Sequence, residues 1–364
     1  MTAPPPPAAL LFPGQGAQQP GMGVGLYRSH PGFRARMDEV LELWHSRGFD
    51  LRADWLAGAC TPEADGIRVA QPLLYALNWA VGRTVLDAGV RPAALLGHSV
   101  GEVAAATLAG VFEPAEAVGL MADRITHLDG TPRGGMLAVL ATPEELAPYL
   151  TRDVVVGAVN APRQVLVSGP DPELGEVEAR LRADGFTARR SRAHNPFHSP
   201  VLTEAALRAL PGLARLTIRE PRLPLYSGYE PGPLTGERVL GLRYWALQPA
   251  RPVLFGPALD GLLAERDLLL AEAGPGQGLT ALVRRHPAVT RGGSRSVSLL
   301  PARPGTPEAE RAVYEKALAE LANAPAAGPV TPAGPAGPPD RSGEPAGALS
   351  RPVGAAVPAL AAEE

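Results

Sequence analysis

The stretch Gly97-His98-Ser99-Val100-Gly101 joins two segments of different periodicity, and no other feature constrains the fold so tightly. Ala93 to Leu96 is a short apolar run that reads as a buried strand, whereas Glu102 opens a helical spacing through Val103, Ala106, Thr107 and Leu108 that stops at Gly110. A Gly-x-Ser-x-Gly turn between a strand and a helix is a nucleophile elbow: the glycines let the backbone bend sharply, and the serine hydroxyl projects above the sheet. The helix amino terminus then offers the Val100 N–H to an oxyanion forming on a carbonyl attacked by Ser99. The pattern fixes only three positions in a chain with 41 glycines among 364 residues, so an ordinary tight turn would also satisfy it. The strand-turn-helix setting is what favours acyl chemistry.

The flanking sequence extends this α/β reading. Ala8 to Phe12 is an apolar run that enters Pro13-Gly14-Gln15-Gly16-Ala17-Gln18, a turn at the carboxyl end of a strand, where α/β folds place ligands. Pro31 to Arg47 has helical spacing, with Phe33, Met37, Val40, Leu41 and Trp44 on one side. Gln71 to Ala88 is a second helix, with Pro72 early, Gly89 just beyond its end, and Leu73, Leu77, Ala80 and Val81 as a core stripe. Pro114 to His127 is a third. From Gly134 the order becomes strand (136–140), helix (143–150), strands (154–158 and 164–168), helix (172–183) and strand (186–190). That β-α-β-β-α-β succession is the ferredoxin-like unit. A helix at 200–210, strands at 223–227, 268–273 and 295–300, and a helix capped by Thr306 and Pro307 that runs to about Leu321 complete the body. The expected division is a first part of a large subdomain (1–132), an insert (133–193), a second part (194–322) and a Pro/Ala/Gly-rich disordered tail (323–364).

A formal net charge of −3 gives no reason to expect nucleic acid or an acidic membrane as a partner. The single cysteine, Cys60, rules out an internal disulfide and suits a reducing compartment. Pro4 to Pro7 stand where a secretory leader would carry a charged segment and an apolar core, and no apolar stretch approaches the roughly 20 residues that span a bilayer. A cytoplasmic monomer without membrane attachment or metal is the resulting expectation.

A reactive serine needs a base, and seven histidines are available. His30, His45 and His286 stand in polar surroundings that suit surface positions. His98 adjoins the serine, but neighbouring side chains diverge at such a turn. His127 lies on a helix beside the site and reads as structural. His194 and His198 fall where the insert returns the chain to the body, at the rim of a cleft, and His198, just before a helix start, is the better placed of the two.

Five motifs in order, Phe12-Pro13-Gly14-Gln15-Gly16-Ala17-Gln18, Gly97-His98-Ser99-Val100-Gly101-Glu102, Phe197-His198-Ser199-Pro200, Tyr244-Trp245 with Gln248 and Arg251-Pro252-Val253, and Ala273-Gly274-Pro275-Gly276, resemble the malonyl-CoA:acyl carrier protein transacylase family of fatty acid and polyketide synthesis. The resemblance runs from about residue 8 to about residue 300. It implies an α/β-hydrolase-like large subdomain with an inserted ferredoxin-like small subdomain. It makes Ser99 the nucleophile and His198 the general base of a ping-pong transfer. The donor is a coenzyme A thioester and the acceptor is the phosphopantetheine thiol of an acyl carrier protein, with no bound cofactor. By the same resemblance Gln15 and Val100 form the oxyanion hole, a backbone carbonyl near Gln248 orients the histidine in place of a carboxylate, and Arg124 pairs with the free carboxylate of a malonyl-type group.

Val100 and Phe197 resemble malonyl-selecting members, since methylmalonyl-selecting relatives tend to have Gln and Ser there. The family's usual Ser-His-Ala-Phe-His is replaced by His194-Asn195-Pro196-Phe197-His198, with Pro196 stiffening that strand. This departure keeps open a trans-acting polyketide enzyme that moves a methylmalonyl, aminoacyl or other unusual group. A thioester hydrolase with the same dyad and a catalytically silent carrier-binding protein are the other readings; Arg124 counts against the first and the intact residue set against the second. The chain shows no ketosynthase or carrier-protein segment, so a separate carrier is expected, and Arg189, Arg190 and Arg192 are candidates to steer it.

Overall fold

The computed structural model describes residues 5–58 and 65–326; Pro4, Cys60 and most of the segment expected to be disordered lie outside the described residues. Among the described residues there are ten strands: β1 (Ala8–Phe12), β2 (Ala94–Gly97), β3 (Gly134–Val139), β4 (Val155–Ala161), β5 (Gln164–Pro170), β6 (Ala188–Arg190), β7 (Leu225–Ser227), β8 (Gly232–Pro233), β9 (Leu269–Glu272) and β10 (Arg295–Ser298). They form two sheets.

The larger sheet has the order β10-β9-β1-β2-β7-β8, parallel except for the short edge strand β8. Every residue of β1 is buried, as expected of a central parallel strand covered by helices on both faces. Phe12 pairs with Gly97, and Leu11 lies between Leu96 and Glu272. The carboxyl ends of β1, β2 and β9 therefore sit side by side, where the strand order reverses direction. The Pro31–His45 helix buries all five expected side chains. The Ile67–Asp87 helix starts four residues earlier than the sequence suggested, because Ile67 and Ala70 prolong its buried face past Pro72. The single helix expected over 200–210 is instead a 3₁₀ turn, Pro200–Leu202, followed by helices Thr203–Leu207 and Leu210–Leu213. Pro211 has no N–H to return to the preceding turn, so the helix restarts around it.

The smaller sheet, order β4-β5-β3-β6, is antiparallel throughout and carries helices Pro143–Leu146 and Glu173–Ala183, the ferredoxin-like arrangement. It has its own apolar cluster, including Leu137, Val139, Val165, Val167, Leu174 and Leu181. A short parallel bridge links it to the body: the Val159 N–H donates to the Val253 carbonyl at 2.8 Å, and the Val253 N–H donates to that of Gly157 at 2.9 Å. Among the described residues no helix is long and apolar enough to cross a membrane, and no group of three or more His, Cys, Asp and Glu could hold a metal ion.

Candidate active site

Ser99 forms the bend between β2 and the Val100–Ala109 helix, with φ of 54°, a left-handed value that a non-glycine residue holds only when its surroundings enforce it. The glycines on either side serve close approach. A Cβ on Gly97 would lie 2.1 Å from the Glu102 nitrogen, and one on Gly101 would lie 2.1 Å from the Phe12 carbonyl oxygen. The helix thus starts hard against the sheet, with Val100 as its first residue and its N–H beyond the reach of any intrahelical acceptor.

The turn after β1 covers the elbow. A Cβ on Gly14 would meet the His98 carbonyl oxygen at 2.5 Å and the Ser99 Cβ at 3.2 Å, which puts the Gln15 peptide next to Ser99. The Gln15 side chain is engaged elsewhere, donating to the Asp65 carbonyl and accepting from Gln71 Nε2.

Ser99 Oγ lies 2.9 Å from Nε2 of His198, a residue 99 positions away that also has a left-handed φ of 64°. Its Nδ1 lies 3.0 Å from the Arg251 carbonyl and 3.2 Å from that of Gln248. Carbonyls only accept, so Nδ1 carries the proton and the lone pair of Nε2 faces the serine. The expected carbonyl near Gln248 is therefore a pair, of which Arg251 supplies the closer. Burial, reinforced by His98 nearby, pushes the His198 pKa down to about 4, so the ring is neutral at physiological pH.

The other histidines are absent from this pair. His194 is exposed, His98 bonds through Nε2 to Asn160 Oδ1 on β4, and His127 pairs with Asp123 one helical turn away. His45 is exposed as expected, but His30 and His286 are not simple surface residues. Each caps a helix by accepting a backbone N–H; His30 also packs edge-on against Tyr314, and His286 pairs with Asp260. Polar neighbours in the sequence concealed these capping roles.

Arg124, on the Pro114–Leu128 helix, is 5% exposed and reaches the same cavity as Ser99 and His198. Its Nη2 donates to the Trp245 carbonyl at 2.7 Å and to Gln248 Oε1 at 3.3 Å, both neutral acceptors, and among the described residues its Nε has no hydrogen-bond partner. Burial lowers its pKa from the usual guanidinium value. Phe197 lines the cavity as expected. Pro196 is on no strand; it is buried in the loop that leads to His198.

Two neighbours carried no sequence signal. Tyr229, just beyond β7, lines the cavity with its ring 6.0 Å from that of His198. Ser168 on β5 is fully buried, and its hydroxyl donates to the Phe197 carbonyl, tying the insert to the residue before His198. Single residues on separate elements have no spacing for a motif to reveal. The basic strand is also less free than expected: Arg190 pairs with Asp171 and Glu178, and Arg192 with Asp65, leaving Arg189 exposed at the surface.

Residues 9–324 match the acyl transferase domain family. A phenolphthiocerol/phthiocerol polyketide synthase component from Mycobacterium tuberculosis is 35% identical over 279 residues, 76% of this chain, and the chain spans only 19% of that relative's length. The solved acyl transferase domain of SpnD, in complex with 2-(pent-4-yn-1-yl)malonyl, superposes with a TM-score of 0.80 at 31% identity, covering 89% of this chain and 78% of that one. The malonyl-CoA:acyl carrier protein transacylase of Xanthomonas oryzae pv. oryzae gives 0.74 at 28% identity, covering 88% and 99%. With Ser99 paired to the buried His198 in an α/β body that carries a ferredoxin-like insert, this chain belongs to the acyl transferase domain family.

Proposed function

We propose that the chain transfers a malonyl-type acyl group from a coenzyme A thioester to the phosphopantetheine thiol of an acyl carrier protein through an acyl-Ser99 intermediate. The observation that carries this reading is the 2.9 Å contact between Ser99 Oγ and the unprotonated nitrogen of His198. As Oγ attacks the thioester carbonyl, Nε2 takes its proton, and the negative oxygen faces the N–H groups of Val100 and Gln15. Collapse expels the coenzyme A thiolate, which recovers the proton from His198. The carrier thiol then gives a proton to Nε2, attacks the acyl ester and leaves as the new thioester, and the proton returns to Ser99.

Arg124 supports a dicarboxylic donor. A malonyl carboxylate would supply the charged partner that its present neutral acceptors do not, whereas an acetyl group would leave the guanidinium buried with those acceptors alone. That one related domain was solved with a substituted malonyl group agrees with this class. Incubation with malonyl-CoA followed by mass spectrometry should find the malonyl group on the Ser99 peptide and, once carrier is added, on the carrier. Free malonate with an unmodified carrier would favour hydrolysis instead. The same assay with methylmalonyl, acetyl and aminoacyl donors ranks the acyl groups, and malonyl should lead.

A further inference from the structure

Glu102, the residue after the elbow's second glycine, is fully buried and has no part in the transfer just described. Its hydrogen-bond partners among the described residues all donate. Its Oε2 accepts the Gly228 N–H at 2.6 Å, and its Oε1 accepts both the Tyr244 hydroxyl and Gln248 Nε2, the latter at 3.1 Å. The hydroxyl's direction follows from its neighbour. Ser227 Oγ already accepts the N–H groups of Tyr229 and Glu230, so its own proton goes to Tyr244, 2.6 Å away, and the Tyr244 proton goes to Glu102. Such a set of donors suits a carboxylate.

Gln248 is the pivot of this arrangement. Its Nε2 faces Glu102, so its Oε1 faces Arg124, while its main-chain oxygen faces His198. A flipped amide would put its oxygen against the carboxylate and its NH2 against the guanidinium, two repulsive contacts, so a charged Glu102 permits one orientation only.

We propose that Glu102 is a positioning residue for the donor's carboxylate: by locking the Gln248 amide, it fixes the Arg124 guanidinium in the orientation that selects malonyl-type over neutral acyl groups. The proposal rests on the malonyl-transfer reading above. Once Glu102 gains a proton it can donate to the amide oxygen, one of the two contacts that oppose the flip is gone, and the Gln248 support for Arg124 weakens, leaving the Trp245 carbonyl as its firmer acceptor.

This ties selectivity to pH. Burial raises the Glu102 pKa to about 7, against the lowering effect of its hydrogen bonds. The charged or titratable groups facing it are Tyr244, Tyr229, Arg124 and Glu230; both tyrosines are held protonated well above their usual range, and Glu230 is paired with Arg251. Glu102 is therefore the group in this cluster that changes charge between pH 6 and 8, and selectivity should fall as pH drops through that range.

The test is the ratio of Ser99 acylation rates with malonyl-CoA and acetyl-CoA in single turnovers, where any pH effect common to both donors cancels. In the unaltered protein the ratio should rise from pH 6 to pH 8. In Glu102→Gln it should drop roughly tenfold or more at pH 8, the scale of one hydrogen bond to a charged group, and become level with pH. Gln248→Met, which keeps the main-chain oxygen and removes the amide, should do the same, and the double variant should be no worse than either single one. A Gln248→Met protein that keeps both the ratio and its pH dependence would overturn the proposal even if Glu102→Gln failed to fold. Absence of a Ser99 adduct from the unaltered protein with either donor would instead overturn the transfer reading on which it stands.

Discussion

His198 shows how burial sets the protonation state of one side chain. Taking the ring out of water makes its charged form costly and lowers its pKa, so the base form that the proposed transfer requires to receive the Ser99 proton persists well into acid. The sign follows: protonation disables the base only as pH falls towards 4. Acylation by an acetyl donor, which makes no demand on Arg124, should hold level down to about pH 5, and an acid limb near pH 6.5 in kcat/KM would contradict this. Arg124→Ala should cost malonyl transfer roughly a hundredfold more than acetyl transfer, since the acid donor loses a buried charged partner of about 3 kcal/mol. An equal loss with both donors would remove the arginine from substrate recognition. Ser99 and His198 were legible because each sits in a compact local motif. Glu102, although inside the same run as Ser99, was not, because its partners come from residues 228, 244 and 248 and exist only after folding.

Among the elements, the elbow is the one least tolerant of added volume. Gly101→Ala would drive a methyl group into the Phe12 carbonyl, so the variant should lose roughly 2 kcal/mol or more in a urea titration and acylate Ser99 more slowly as the helix start backs away from β1. Most elements could be read from periodicity, since one buried face leaves a regular apolar trace. The Phe255–Glu265 helix left that trace too, in Phe255, Ala258, Leu259, Leu262 and Leu263, but Pro252, Gly256 and Pro257 masked its start. Strand β8, two residues long, has no period to detect and exists only because Tyr226 and Ser227 offer it an edge.

At the scale of the whole molecule, the insert is tied to the body by the backbone bridge at Val253, the His98–Asn160 contact and the hydroxyl of Ser168. The β-α-β-β-α-β order of the insert could be read along the chain, but these ties join residues 29 to 96 positions apart and could not. Val253→Pro deletes the N–H donated to Gly157 and should loosen the insert, visible by calorimetry as a broadened or split transition and in assays as slower acylation. The same bridge bears on how the site would respond to genetic drift. Oxygens belonging to the peptide links at 248 and 251 aim the imidazole, and no codon change can delete an atom that every amino acid possesses. Damage to the aim must come from sliding the whole segment, so a mutational scan should find the harmful replacements at anchors such as Val253 and Gly157, with residue 251 itself comparatively permissive.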